Sequence, residues 1–268
     1  MPDQIDAVSA AIDHSGRRML YSLSPGSSDL TMAARIVNET SMYRVTDDTW
    51  DRWGNSISNH FLSAQQMQPY IAYPNGRYGL PSWPDLDMLP LGWLGVEGAN
   101  EPPSRWCNLT QDEQQSLMSL WTIFRSPLMY GGDLQHPDPY SLGLLTNEEA
   151  LAITDNSTNT DFIVSGPGLA MWRSDDSDWQ RSGVSYFSVH NIGDSQLAGL
   201  TLSTRQLRGQ QGGTSCTLRD IWARQDVQSG STLTVTLRPH QSGLYSLHSC
   251  SGGAQTQKSH RHARAPRV

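Results

Sequence analysis

The sequence has no run approaching eighteen consecutive apolar residues, so no segment reads as a membrane-spanning helix. It has only three cysteines, Cys107, Cys216 and Cys250, too few for a disulfide-built scaffold. They lack CxxC spacing and a nearby histidine cluster, which argues against a zinc site. Cys216 and Cys250 share the C-terminal region, where they either pair or remain two buried thiols. No GxGxxG phosphate loop is present, which counts against a nucleotide or flavin enzyme. The opening Met1-Pro2-Asp3-Gln4 does not read as a signal peptide. Phenylalanine is scarce, at four, against nine Trp and nine Tyr. Flat apolar faces with a polar edge suit sugar rings, and they suit core packing equally well.

Charge is sparse too, at 17% of residues. The net charge of −7 falls to −11 without Lys258, Arg261, Arg264 and Arg267 of the tail. An acidic body of this kind is not a nucleic-acid partner, because neutralising phosphates needs clustered Lys and Arg. The basic stretch 253–268, rich in Gly, Ser, Gln and His, reads as a disordered end. Three N-x-S/T triplets, at Asn38, Asn108 and Asn156, hint at a secreted glycoprotein.

Residues 1 to about 155 alternate strand-like and helix-like patterns, the mark of βα units on a parallel sheet. Strands are predicted over 17–23, 42–46, 83–89 and 127–130. Helices are predicted over 30–37, 50–67 and 147–153, and another follows the capping box Thr110-Gln111-Asp112-Glu113. Behind that box Leu117, Leu120, Trp121 and Phe124 share one face. After about residue 160 the pattern becomes apolar–polar alternation, over 184–189, 232–237 and 244–247, which predicts an antiparallel sandwich. The fold class is therefore α/β plus all-β, with four βα units over 1–157 and a β-sandwich over 158–252. A closed barrel needs eight strands, so four units make half of one.

Barrel enzymes place their chemistry at the carboxyl ends of the strands. Acids fall there repeatedly: Asp47 and Asp48, then Asp85 and Asp87, then Asp133. Glycoside hydrolysis needs two carboxylates facing one another across the sugar. Asp47 and Asp48 are not such a pair, since neighbouring strand residues point to opposite sides. Asp85 and Asp87, two apart, share a side. Strand-end acids also serve as helix caps, and Asp133 reads as one. Trp172, Trp179 and Trp222 line either a sugar groove or, as the simpler reading has it, core and interface.

Four segments, in order, carry a resemblance. These are Tyr21-Ser22-Leu23-Ser24-Pro25-Gly26, Met42-Tyr43-Arg44-Val45-Thr46-Asp47-Asp48, Trp83-Pro84-Asp85-Leu86-Asp87-Met88-Leu89 and Ser126-Pro127-Leu128-Met129-Tyr130-Gly131-Gly132-Asp133-Leu134. Together they resemble family 27 glycoside hydrolases, the melibiase-type α-galactosidases, in the branch that includes plant enzymes with β-L-arabinopyranosidase activity. The resemblance spans roughly residues 5–250 and implies strands five to eight of a (β/α)8 barrel followed by a β-sandwich domain. It implies a retaining mechanism on galactosides or arabinopyranosides, with no metal or organic cofactor. Asp48, four residues beyond Arg44, takes the acid/base position. Arg44, Asp87, Met88 and Ser24 take substrate-binding positions, Ser24 where other members carry a larger acidic residue. No residue matches the nucleophile; Asp85 lies nearby without matching it. The resemblance thus implies a secreted or cell-wall hydrolase represented by its C-terminal part. The alternative is an inactive truncated paralogue or a carbohydrate-binding remnant. The oligomeric state is left open.

Overall fold

The computed structural model describes residues 2–67, 76–95, 103–208 and 215–251. The predicted basic tail lies outside them. The chain opens with a helix that the sequence pattern does not signal, α1 (Pro2–His14). Strand β1 (Ser22–Leu23) is much shorter than the predicted 17–23. Its pairing with the next strand begins only at Ser22 opposite Met42, with Ser41 N–H donating to Tyr21 O just before it, and Leu20 is 82% exposed. Next come α2 (Ala33–Glu39) and β2 (Met42–Arg44). The helix expected from residue 50 starts late, as α3 (Ser58–Met67), after an irregular turn at Trp53–Ile57. Gly54 is extended there and Asn55 sits at φ 60°, so the helical ladder cannot run through them.

Strand β3 (Trp83–Asp85) completes a three-stranded parallel sheet in the order β1-β2-β3. A hairpin that the sequence does not signal follows, β4 (Trp93–Leu94) with β5 (Arg105–Trp106). Helix α4 (Gln111–Phe124) begins at the expected capping box, with Thr110 Oγ1 accepting Glu113 N and Glu113 Oε2 accepting Thr110 N. The predicted fourth strand is reduced to a single parallel bridge, Leu89 to Tyr130. Gly131 and Gly132 bring the backbone so near its neighbours that regular pairing stops: a Cβ on Gly132 would lie 2.0 Å from Leu91 O. Helices α5 (Pro139–Leu145) and α6 (Glu148–Asn156) close this part, with Asn147, the first residue of the predicted 147–153, standing as the cap of α6.

The remainder is antiparallel. It comprises β6 (Ser157–Gly166), β7 (Leu169–Asp176), the short helix α7 (Trp179–Ser182), β8 (Ser185–Asn191), β9 (Leu197–Ser203), the short helix α8 (Thr204–Leu207), β10 (Ser215–Asp220), β11 (Gln225–Gly230), β12 (Thr232–Leu237) and β13 (Ser242–Ser251). Six strands form one sheet in the order β11-β10-β13-β8-β7-β6, and β12-β9 form a second. Period-two alternation divides the side chains between two cores. Met171, Phe187, Val189, Tyr245 and Leu247 pack toward the β12-β9 sheet, where Leu233, Val235 and Leu237 face them. Trp172 and Leu244, one residue away in register, face the other way and join Phe61, Leu117, Trp121 and Phe124 of the α/β part. Each fully buried residue of this size contributes about 1.5–3 kcal/mol. The larger core thus fastens the sandwich onto α3 and α4. Cys216 and Cys250 form a disulfide, resolving the two readings of that pair.

Candidate functional site

The three parallel strands end on one side in short loops, and those loops converge on one side chain. Tyr43 of β2 and Val45 just beyond it enter the core, and Arg44 between them takes the opposite face. Its guanidinium is almost wholly buried, with 7% of the side chain exposed. Nη1 donates to Asp87 Oδ1 at 3.0 Å and lies 3.3 Å from Ser24 Oγ, while Nη2 donates to Asp48 Oδ1 at 3.2 Å. Three residues from the ends of three strands therefore meet at Arg44. Charge-assisted contacts of this kind fix orientation as well as supply attraction.

Asp87 is held from several directions. It sits at φ 80°, an uncommon conformation for a residue other than glycine. Its N–H donates to Asp85 Oδ1 at 2.8 Å, and its carbonyl accepts the Trp121 indole at 3.0 Å. Its Oδ2 accepts Thr49 N at 2.8 Å. Beneath it Thr49 Oγ1 meets His60 Nε2, and the His60 ring stacks on Trp121 at 5.6 Å. Burial pushes His60 below the ordinary histidine range, so the ring stays neutral and serves as packing and hydrogen-bonding support. Burial raises Asp85 above the usual carboxylate range, against the pull of Arg44. Asp85 thus braces the Asp87 turn from inside. β3 ends at Asp85, so the predicted strand alternation does not govern where Asp87 points.

Asp48 is different in kind. Its side chain is 81% exposed and tied by the one 3.2 Å contact to Arg44. Asp47 is exposed as well, its Oδ1 3.4 Å from Ser27 Oγ. Both lie beyond β2, so the predicted strand alternation between them does not apply. Met88 is half-buried and leans on Gly131, where an added Cβ would come within 2.6 Å of its sulfur. Asp133 is not the helix cap that its position suggests. Its carboxylate accepts Gln135 N and pairs with His136 Nδ1, closing a turn, while Asp138 caps α5 ahead of Pro139. Trp172 is fully buried and Trp222 is packed on the larger core, its indole donating to Ser119, as the core-and-interface reading has it.

The supporting residues Thr49, His60, Asp85 and Trp121 carry no sequence signal for this role. Their bonds join residues 34 to 38 positions apart or depend on a turn that periodicity does not encode. Among the described residues no helix is long and apolar enough to cross a membrane.

Arg44 and its two carboxylate partners, Asp48 and Asp87, thus stand at the carboxyl ends of parallel strands, where barrel enzymes place their chemistry. The chain belongs to the alpha-galactosidase A family, whose model matches residues 2–156 and whose C-terminal beta sandwich domain matches residues 175–247. It superposes with TM-score 0.83 on a GH27 β-L-arabinopyranosidase from Geobacillus stearothermophilus, at 34% identity, covering 94% of this chain and 55% of that one. It is 25% identical to an alpha-galactosidase of Oryza sativa subsp. japonica over 90% of this chain and 51% of the relative. With alpha-galactosidase 2 of Arabidopsis thaliana it shares 32% over 56% of this chain and 32% of the relative. The chain spans about half the length of the rice relative. It is a glycoside-hydrolase barrel segment joined to a β-sandwich.

Proposed function

We propose that this chain carries the acid/base side of a retaining glycosidase that removes terminal α-D-galactose or β-L-arabinopyranose. The convergence of Ser24, Asp48 and Asp87 on buried Arg44 carries the reading. Asp48 is the acid/base. It protonates the leaving oxygen, then takes a proton from water as the glycosyl intermediate is hydrolysed. Such a group must change protonation twice per turnover. A solvated carboxylate on one contact can do so without breaking a buried pair.

Arg44 and Asp87 bind ring hydroxyls, one donating and one accepting, and their mutual contact pre-sets both. Met88 lines the pocket. Ser24 leaves room where a larger acid would narrow the choice of sugar. The strands correspond to five to eight of the barrel. The nucleophilic carboxylate belongs to a part of the barrel outside this chain, in keeping with the half-length match to the rice relative. A disulfide and exposed asparagines at all three glycosylation triplets support a secreted or cell-wall setting. In relation to the sugar, a GH27 β-L-arabinopyranosidase variant has been crystallised with arabinose.

Calorimetric titration of the chain with D-galactose and with L-arabinose tests the binding half of this reading. Saturable binding that weakens at least tenfold in Asp87→Asn is the expected result, since a charged hydrogen bond carries about 1.5–3 kcal/mol. Binding equal in wild type and variant would count against it.

A further inference from the structure

The β4–β5 hairpin has no role in the site so far described, yet it is built onto the same end of the barrel segment. It begins four residues beyond Leu89, so it follows closely on Asp87 and Met88. Asp133 N donates to Trp93 O at 2.8 Å, tying the hairpin to the loop beyond the fourth strand position. Arg105 pairs with Asp51 at 2.5 Å, and Asn108 N donates to the other Asp51 oxygen at 2.8 Å. The Asp51 side chain has no solvent exposure and lies three residues beyond Asp48. Buried charge of this kind makes a stiff support, since opening the pair strands a charge away from water.

On this support Trp106 stands 52% exposed. Trp93 meets it edge to face at 5.3 Å, with interplanar angle 83°, and so fixes the plane of the ring. Beside Trp106 a cleft of about 160 Å³ is lined by Gln111, Asp138 and Tyr140, with Cys107 and Gln114 in its wall. The Gln111 side chain is exposed. Tyr140 Oη donates to Gln111 O at 2.9 Å and keeps its oxygen lone pairs as acceptors. Burial pushes the Tyr140 phenol up to about 12, so it remains a neutral hydroxyl, and pushes the Cys107 thiol up to about 12, leaving an unreactive wall. An exposed indole face beside a carboxylate, an amide and a phenol matches a sugar ring, which offers C–H groups on its face and hydroxyls around its edge.

We propose that this cleft is a second carbohydrate subsite, holding a sugar ring on the leaving-group side of the substrate, with Trp106 as the stacking platform. The proposal rests on the glycosidase reading above and extends it to substrates of more than one sugar. It also assigns the hairpin a role in selecting oligosaccharides over simple glycosides.

The test uses the full chain, titrated with D-galactose and with raffinose, a galactosyl trisaccharide, and followed by amide and indole NMR signals. Galactose is expected to move the amides of residues 44–48 and 87–88 and to leave the Trp106 indole unchanged. Raffinose should move both. Trp106→Ala should weaken raffinose about fivefold and leave galactose unaffected, while Trp106→Phe keeps most of the affinity. If raffinose binds while the Trp106 indole stays still, or if Trp106→Ala holds it as wild type does, the subsite is overturned. If galactose leaves residues 44–48 and 87–88 unmoved, the glycosidase reading falls instead, which separates the two failures.

Discussion

At the scale of single residues, the site is a problem of holding charges at fixed angles on short loops. Asp87 illustrates it: four-sided restraint by Asp85, Thr49, Trp121 and Arg44 stabilises a backbone conformation that the side chain alone disfavours. Glycines do the complementary work on the next strand. Gly132→Ala would place a Cβ 2.0 Å from the Leu91 carbonyl, a backbone atom that cannot swing aside. We expect a loss of about 1–3 kcal/mol, read as a lower urea midpoint with unchanged slope. The residues that gather at Arg44 are legible in the sequence because their four segments carry a recognisable order. Their supports are not. Thr49, His60 and Trp121 act through single long-range bonds or ring contacts, and a hydroxyl, an imidazole or an indole in the sequence does not announce its partner.

Elements are legible in proportion to the locality of what defines them. Helix α4 can be read with its starting residue, because the capping box and the apolar stripe both lie within the helix itself. Strand β12 can be read with both ends, since strict alternation of Leu233, Val235 and Leu237 with Thr at the positions between marks one buried face. The barrel strands are shorter than their apolar pattern predicts. Only two or three residues of each pair with a neighbour, and the sequence pattern does not show where pairing stops. The hairpin escapes the pattern because its two strands span two residues each. For α4, Thr110→Ala removes the acceptor for Glu113 N and should cost about 1 kcal/mol in denaturant unfolding. Glu113 also pairs with His240 of the sandwich at 2.8 Å, so Glu113→Ala should cost more than Thr110→Ala in the same measurement.

For the whole molecule, stability is concentrated where the sandwich meets α3 and α4 and within the sandwich itself. The disulfide closes a 34-residue separation, and its reduction should lower stability by about 3–4 kcal/mol, seen as a fall in Tm with dithiothreitol. His190 lies between the two parts, in ring contact with Phe61 and Trp172, and burial lowers it to about 3. An unfolded histidine titrates near 6.5. Between those values the unfolded chain binds a proton that the folded one refuses, so stability falls as pH drops through 6.5 toward 3. Unfolding at pH 5 should be easier than at pH 7.5 by about 2 kcal/mol from this group, and His190→Gln should flatten that slope.

The central claim concerns Asp48, and its most direct test is the leaving-group dependence of hydrolysis in the protein expressed from its complete coding sequence. Asp48→Asn should abolish turnover of galactosides with poor leaving groups, which need protonation. Activated aryl galactosides should still glycosylate the enzyme and release a burst of phenol. Wild-type rates on both kinds of substrate would contradict the assignment of Asp48 as the acid/base.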